Sequence, residues 1–433
     1  MGARTDPRFA ESIRHFNHAA ALIPTACQTF SKSRIQYPAG VTPDFLSHGQ
    51  GGRVWDVDGN EYVDMVMGLL ANVLGYCDPG VNAAISEQLT RGTSFSLATT
   101  LEAEVAERIV EIIPCAEMVR FGKNGTDGTS AAVRISRAAT GRNHVLALGY
   151  HGWQDWYVGA TVRSKGVPPA VRALTQKVPY NDLAAIEQAY VAFDGDLACI
   201  ILEPMSAVEP APGYLEGLRD FATKTGTILV FDETITGFRF SLGGAQEYFG
   251  VTPDLCVLGK GMANGMPLSA IAGRSDLMQE FNEIFFSGTF GGEALSLAAA
   301  KAVIDTFRRE PVIEALWRKG AFLKREIGNI IDENGMAEGI TLAGKEPWLV
   351  PVYGAVGCSS PEEVKTFMVK NMVESGVLFG SSLNICYAHT DGELQHVIDA
   401  FAKAVSTLRD EVQRPGLATR LNCELIQPVF SVR

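Results

Sequence analysis

Thr227-Ile-Leu-Val-Phe-Asp-Glu233 and, further along, Pro253-Asp-Leu-Cys-Val-Leu-Gly-Lys260-Gly261 are short unbroken apolar runs that end on charged residues. A strand that is apolar at every position, not at alternate ones, is covered on both faces, which is the habit of parallel sheets. Met118–Phe121, His144–Leu148 and Ala198–Leu202 have the same character. Helical patterns lie between these runs. The clearest is Leu101–Ile113, apolar at 101, 105, 109, 112 and 113, with Thr99 and Glu102 at capping-box spacing and Pro114 as a stop. Alternation of strand and helix predicts an α/β domain with a mainly parallel sheet.

Outward from that centre the pattern changes. Residues 1–50 hold one short helical pattern and then an extended Pro- and Gly-containing stretch around Tyr37–Pro43. Val54–Val57 and Glu61–Met65 flank Asp58-Gly59-Asn60, a hairpin signal. Beyond about residue 310 the chain predicts a long helix, a strand near Trp348–Tyr353, a helix near 361–375 and a last helix over 391–412. A chain of 433 residues exceeds one core. The expected division is an N-terminal segment 1–65, a large domain 66–310 and a C-terminal small domain 311–433, the two ends together forming one small α+β domain.

The formal net charge is −12, so the surface offers no attraction for nucleic acid or an anionic membrane, and neither is expected as a partner. No apolar run reaches membrane-spanning length, and Met1–Arg14 lacks an apolar signal core. The eight cysteines form no CxxC pair and the seven histidines show no ligand spacing, so neither a disulfide framework nor a metal is indicated. A cytoplasmic location is the expectation. P-loop, HExxH, GxSxG and strand-following GxGxxG patterns are all missing.

Three features remain. Gly122-Lys-Asn-Gly-Thr-Asp-Gly128 lies between a strand and a helix predicted over Ser130–Ala139, where glycines and free helix-start amides favour an anion such as phosphate. Asp232 stands at the carboxyl end of a buried strand, the edge at which open α/β sheets bind ligands. Lys260 ends another apolar strand, and a desolvated lysine can lose its proton and form a Schiff base. Each alone has an ordinary structural explanation as turn, cap or surface charge. Together they are what pyridoxal phosphate (PLP) asks of a protein: a phosphate cradle, a carboxylate for the pyridine nitrogen and an imine-forming lysine. Tyr150, in Tyr150-His151-Gly152, adds an aromatic face for the ring.

These motifs, with Met118-Val-Arg-Phe before Gly125-Thr126, Asp232-Glu-Thr-Ile-Thr-Gly-Phe-Arg239 and Gly288-Thr289, resemble those of the class III PLP-dependent aminotransferases of fold type I. The likeness runs from the Trp55–Asn60 hairpin to Ala388-His389-Thr390 and is nearest the branch containing glutamate-1-semialdehyde 2,1-aminomutase. It implies that Lys260 carries the cofactor and shuttles the substrate Cα proton, and that Asp232 pairs with the pyridine nitrogen. It further implies that Asn124, Gly125 and Thr126 form the phosphate turn, joined by Thr289 from the second subunit of a homodimer. Tyr150 and Thr234 would cover the two ring faces, and Glu203 would stand near the cofactor's edge.

Departures from the family pattern bear on the substrate. Asn124 and Asp127 replace the usual Ser and Glu, Ile235 a common Gln, and Glu293 the usual Asn. Ser381-Ser-Leu-Asn-Ile-Cys-Tyr387 lacks both the arginine that ω-aminotransferases direct at an α-carboxylate and the acid expected of the aminomutase. Loss of a bidentate arginine points to a different acceptor. His151-Gly-Trp-Gln-Asp155, Lys260–Pro267 and Gly291–Ser296 resemble a sub-branch linked with amino-sugar and aminoglycoside pathways. The expected reaction is transfer of an amino group from an amino acid to an aldehyde or ketone on a sugar-like acceptor. The alternative is an intramolecular aminomutase or a PLP epimerase, for which Gly152–Pro179 is long enough to form a lid.

Overall fold

β1 (Leu46–Gln50), β2 (Arg53–Asp56) and β3 (Glu61–Asp64) open the sheet structure, preceded by the helix Ala10–Ala20. The computed structural model describes residues 6–380 and 382–427. β2 and β3 pair antiparallel across the predicted turn, with Gly59 at φ 86°. Asp56 closes that turn, its Oδ1 accepting from Asp58 N at 3.0 Å and Asn60 N at 2.8 Å. The chain divides into two compact units. One holds the described residues up to Leu70, Leu74–Asp78 and the described residues from Glu314 onward; the other holds Ala71–Val73 and Pro79–Ile313.

The second unit carries β4 (Met118–Gly122), β5 (His144–Leu148), β6 (Thr175–Lys177), β7 (Leu197–Leu202), β8 (Ile228–Glu233), β9 (Leu255–Leu258) and β10 (Ser269–Gly273). They form one sheet in the order β4-β10-β9-β8-β7-β5-β6. β6, β5, β7, β8 and β9 are parallel neighbours, and β10 runs against both β9 and β4. The expectation of an α/β fold with a mainly parallel sheet holds. β10 reverses because only the short stretch from Gly259 to Leu268 separates it from β9, too little chain for a crossover helix. Every residue of β7, β8, β9 and β10 is buried. The apolar-run criterion does not find β10, whose Ser269-Ala-Ile-Ala-Gly273 is small-residue rich. That smallness is structural: a Cβ on Gly273 would lie 2.4 Å from Asp254 O.

One expectation is corrected here and a second is narrowed. The helix foreseen from Ser130 begins at Gly125 and runs to Thr140. Asp127 closes its first turn, Oδ2 accepting from Lys123 N at 2.9 Å and Asn124 N at 2.8 Å, so the glycines at 125 and 128 lie inside the helix and not in a loop before it. The helix packs tightly on the sheet, a Cβ on Gly128 falling 2.5 Å from Val257 Cγ1. Gly152–Pro179, considered as a lid, is fastened at its start, while most of residues 160–173 are exposed. It contains the helices Asp155–Val158 and Pro169–Arg172 and β6, and Trp156 and Tyr157 are buried in the core of the unit. Trp156 Nε1 donates to Ser130 Oγ at 3.0 Å, fastening the segment to the Gly125–Thr140 helix.

Helix Thr100–Ile112 matches its prediction, with Glu102 Oε1 accepting from Thr99 N at 3.2 Å. Beyond residue 310 come helix Val312–Glu333, β11 (Ile340–Lys345), β12 (Trp348–Tyr353), helix Pro361–Glu374, β13 (Val377–Leu378), β14 (Leu383–Asn384) and helix Asp391–Glu411. β12 pairs with β11 and β14, and β13 pairs parallel with β3. Phe9, Val54, Tyr62, Val373 and Leu378 form the core there. Ser381 of the departure motif lies outside the described residues. Among the described residues no helix is long and apolar enough to cross a membrane.

Candidate active site

Sheet order decides which charged residues meet. β9, β8, β7 and β5 are consecutive parallel neighbours, so the residues at and just beyond their carboxyl ends form one row: Lys260, Asp232, Glu203 and Tyr150. This is the edge at which α/β sheets gather ligands. β4, at the far end of the sheet, delivers the start of the Gly125–Thr140 helix.

Asp232 is buried, and its two oxygens are engaged differently. Oδ1 accepts from Thr234 Oγ1 at 2.6 Å and from Thr234 N at 3.2 Å. Oδ2 lies 2.8 Å from His151 Nδ1. His151 Nε2 lies 3.1 Å from Leu148 O, and because a carbonyl only accepts, that nitrogen carries a proton. His151 therefore links Asp232 to the end of β5 at Leu148. Glu233, next in the chain, faces the other way, and its oxygens accept from Thr236 Oγ1 at 2.7 Å, Ala245 N at 2.6 Å and Gln246 N at 3.0 Å. Of these two neighbouring acids, only Asp232 faces the site.

Lys260 begins a short 3-10 turn with φ at 44°, a left-handed conformation uncommon for a side chain with a Cβ. Loss of hydration drives its ammonium down to about 8, against the upward pull of Glu203 and Asp232, while Arg239 adds to the fall. Glu203 accepts from Tyr150 N at 2.9 Å, and burial together with the nearby Asp232 charge raises its carboxyl above the usual range. Gly149 is required between them. Its φ is 107°, and a Cβ there would fall 2.4 Å from Glu203 Oε2. The Tyr150 side chain is half exposed and meets Tyr157 edge-on at 5.7 Å.

The helix start supplies first-turn amides that have no partner within the helix. Thr126 Oγ1 is buried without a hydrogen-bond partner among the described residues, an acceptor or donor left for something else. Gly152, at φ 103°, passes so close that a Cβ would lie 2.3 Å from that oxygen. Thr129 Oγ1 donates to His151 O at 2.8 Å and ties the two segments together. Asn124 stands at the N-cap position and is exposed. Thr234 bridges the cradle and the lysine turn, its Cγ2 lying 3.0 Å from where a Cβ on Gly125 would sit and 3.3 Å from one on Gly259. Thr289 is exposed. A buried orphan hydroxyl beside free helix-start amides, an acid and a desolvated lysine fits the phosphate, ring nitrogen and aldehyde of pyridoxal phosphate. Among the described residues no group of three or more His, Cys, Asp or Glu is placed to hold a metal.

Two participants escape the sequence reading. His151 is the ring partner of Asp232, 81 residues away, a distance no local pattern reveals. Lys123 Nζ pairs with Glu293 Oε2 at 3.0 Å. Glu293 also caps helix Ala294–Arg309, Oε1 accepting from Leu295 N at 2.7 Å and Oε2 from Ser296 Oγ at 2.6 Å. Its oxygens are thus committed to structure. Glu293→Ala should cost about 1–2 kcal/mol, read as a lower urea midpoint, by losing the cap and leaving half-buried Lys123 with Ser296 Oγ but no counter-charge. An unchanged midpoint with a raised substrate KM would return Glu293 to the substrate site.

Fold and site together define a fold type I pyridoxal-phosphate enzyme. The chain belongs to the class-III aminotransferase family, whose model matches residues 36–405. It is 34% identical to a glutamate-1-semialdehyde 2,1-aminomutase of Natranaerobius thermophilus, over 92% of this chain and 99% of that protein. It is 32% identical to a 3-aminobutyryl-CoA aminotransferase of Cloacimonas acidaminovorans, over 93% and 98% respectively. Among solved structures, the PLP internal aldimine form of FumI from Sphingopyxis sp. MTA144 superposes with a TM-score of 0.87 at 25% identity, covering 95% of this chain and 99% of that one.

Proposed function

We propose that this aminotransferase moves an amino group from an amino-acid donor to an aldehyde or ketone on a sugar-like acceptor. The observation that carries amino transfer is the row of Lys260 and Asp232 on one sheet edge, with the lysine amine desolvated and its proton lost near pH 8. When bound, pyridoxal phosphate supplies an aldehyde that condenses with amines and a ring that draws electrons from the substrate Cα–H bond. Lys260 Nζ then takes that proton and returns it on the other side of the transfer. Asp232 would hold a proton on the ring nitrogen, and Gly125 and Thr126, from the turn capped at Asn124, would hold the phosphate. Tyr150 and Thr234 would flank the ring, with Glu203, oriented by its bond from Tyr150 N, near its edge.

A second copy of the chain is expected to complete the phosphate site with Thr289. Support comes from that residue's exposure between Phe285, 80% exposed, and Phe290, 58% exposed, an apolar surface that a subunit would cover. A cytoplasmic setting accords with eight free thiols.

Transfer between molecules is favoured over the aminomutase reading because the Ser381–Tyr387 stretch lacks the acid expected of an aminomutase; Gly152–Pro179, anchored in the core at Trp156 and Tyr157, does not separate the two. Likeness to named aminomutases over most of the chain is the observation for the second reading. The loaded enzyme is mixed with glutamate or glutamine and no acceptor. Loss of the cofactor's absorption band with stoichiometric oxo-acid release is expected. An unchanged spectrum with retained cofactor overturns external transfer and selects the mutase or epimerase. The aminated enzyme is next offered keto-sugars and simple semialdehydes, and recovery of the band with semialdehydes alone removes the sugar acceptor.

A further inference from the structure

A carboxylate offers about four lone-pair positions, two on each oxygen. On Asp232 both positions of Oδ1 are taken by Thr234, through Oγ1 at 2.6 Å and N at 3.2 Å, and one position of Oδ2 faces His151 Nδ1 at 2.8 Å. One position is left, on Oδ2. The Thr234 hydroxyl bond has the short length of a charge-assisted O–H···O contact, so it withdraws charge from the carboxylate. Its direction is fixed by packing. Cγ2 and Oγ1 both lie 3.0 Å from where a Cβ on Gly125 would sit, and Cγ2 lies 3.3 Å from one on Gly259, which leaves the side chain little room to turn. Glycine at 125 and 259 gives the threonine its seat, and the seat aims the hydroxyl at Asp232. A residue needed only to fill space beside a ring would have no use for that hydroxyl.

We propose that Thr234 is a positioning residue that sets how strongly Asp232 holds the ring nitrogen of the cofactor: its hydroxyl occupies Oδ1, leaves Oδ2 as the only oxygen open to the ring, and weakens the carboxylate as an acceptor there. The device moderates the electron-withdrawing ring, balancing strength of the Cα–H activation against release of the ring nitrogen's proton. It rests on the reading of Asp232 as the ring-nitrogen partner, and the test separates the two.

The full-length apo protein is titrated with pyridoxal phosphate and with its 1-deaza analogue, which has carbon in place of the ring nitrogen. The ratio of the two Kd values measures the hold on that nitrogen alone, independent of turnover. Thr234→Val, which keeps the shape and loses the hydroxyl, should raise the preference for the natural cofactor by about five- to tenfold. Thr234→Ser should restore the original ratio, and Thr234→Ala, which removes the hydroxyl without branching, should raise it as Val does and decides the matter if the Val protein does not fold. Asp232→Asn should collapse the ratio toward one. Val and Ala ratios equal to the parent, with the Asn ratio collapsed, overturn the role of Thr234. An Asn ratio equal to the parent overturns the assignment of Asp232 itself.

Discussion

Lys260→Ala should lose amino transfer by at least about 10⁴-fold in turnover, because one side chain is both the nucleophile toward the aldehyde and the proton carrier at Cα. The fold should survive. Alanine bears a Cβ as lysine does, so the φ of 44° imposes no new strain, and removal of the amine relieves a desolvated charge. Hydride reduction of the loaded parent should trap the cofactor on Lys260, found by peptide mass, and the variant should trap none. Turnover above about 1% of the parent would remove Lys260 from both roles. A pH signature goes with it. The reactive form is the neutral amine, and burial has lowered the lysine to about 8, so the rate of cofactor loading should climb as pH rises through about 8 and level off above it. An unperturbed lysine would place that climb roughly two units higher.

Asp232→Asn should retain the cofactor and slow removal of the Cα proton by about 10²–10³-fold, the effect of deleting one preorganised, buried charge. The substitution keeps the shape but removes the charge that holds a proton on the ring nitrogen. It also disturbs the network, because a donating NH₂ replaces one carboxylate oxygen beside Thr234 or His151. About 1–3 kcal/mol of stability should go with it. A Cα-deuterated donor provides the check. The variant should show a larger primary isotope effect on the half-reaction than the parent, since proton removal becomes limiting. Unchanged turnover would assign the ring nitrogen to another group.

Local pattern is enough for the frame. β5, β7, β8 and β9 announce themselves as unbroken apolar runs because strands covered on both faces leave no position for a polar side chain. The Asp58-Gly59-Asn60 turn and the Thr100–Ile112 helix are legible for a related reason, each resting on chemistry within a few residues. The helix start at Gly125 is hidden because its first turn is closed by the carboxylate of Asp127, while glycine content alone reads as loop. β10 escapes because close packing against β9 and β4 selects small residues, which carry no strand propensity.

Chemistry-bearing residues are also visible one at a time: Lys260 at a strand end, Asp232 at another, Gly125-Thr126 at a helix start. What the chain by itself determined was this set of residue types and the edge of the sheet they would share, since a parallel strand fixes which of its ends a following residue occupies. Tertiary structure alone decided who touches whom. It gave Asp232 to His151 and Thr234 while sending Glu233 to cap Ala245 and Gln246, and it committed Glu293 to Lys123 and a helix end. Those choices follow from strand order and side-chain direction, which are set by contacts between segments far apart in the chain, where no spacing rule reaches.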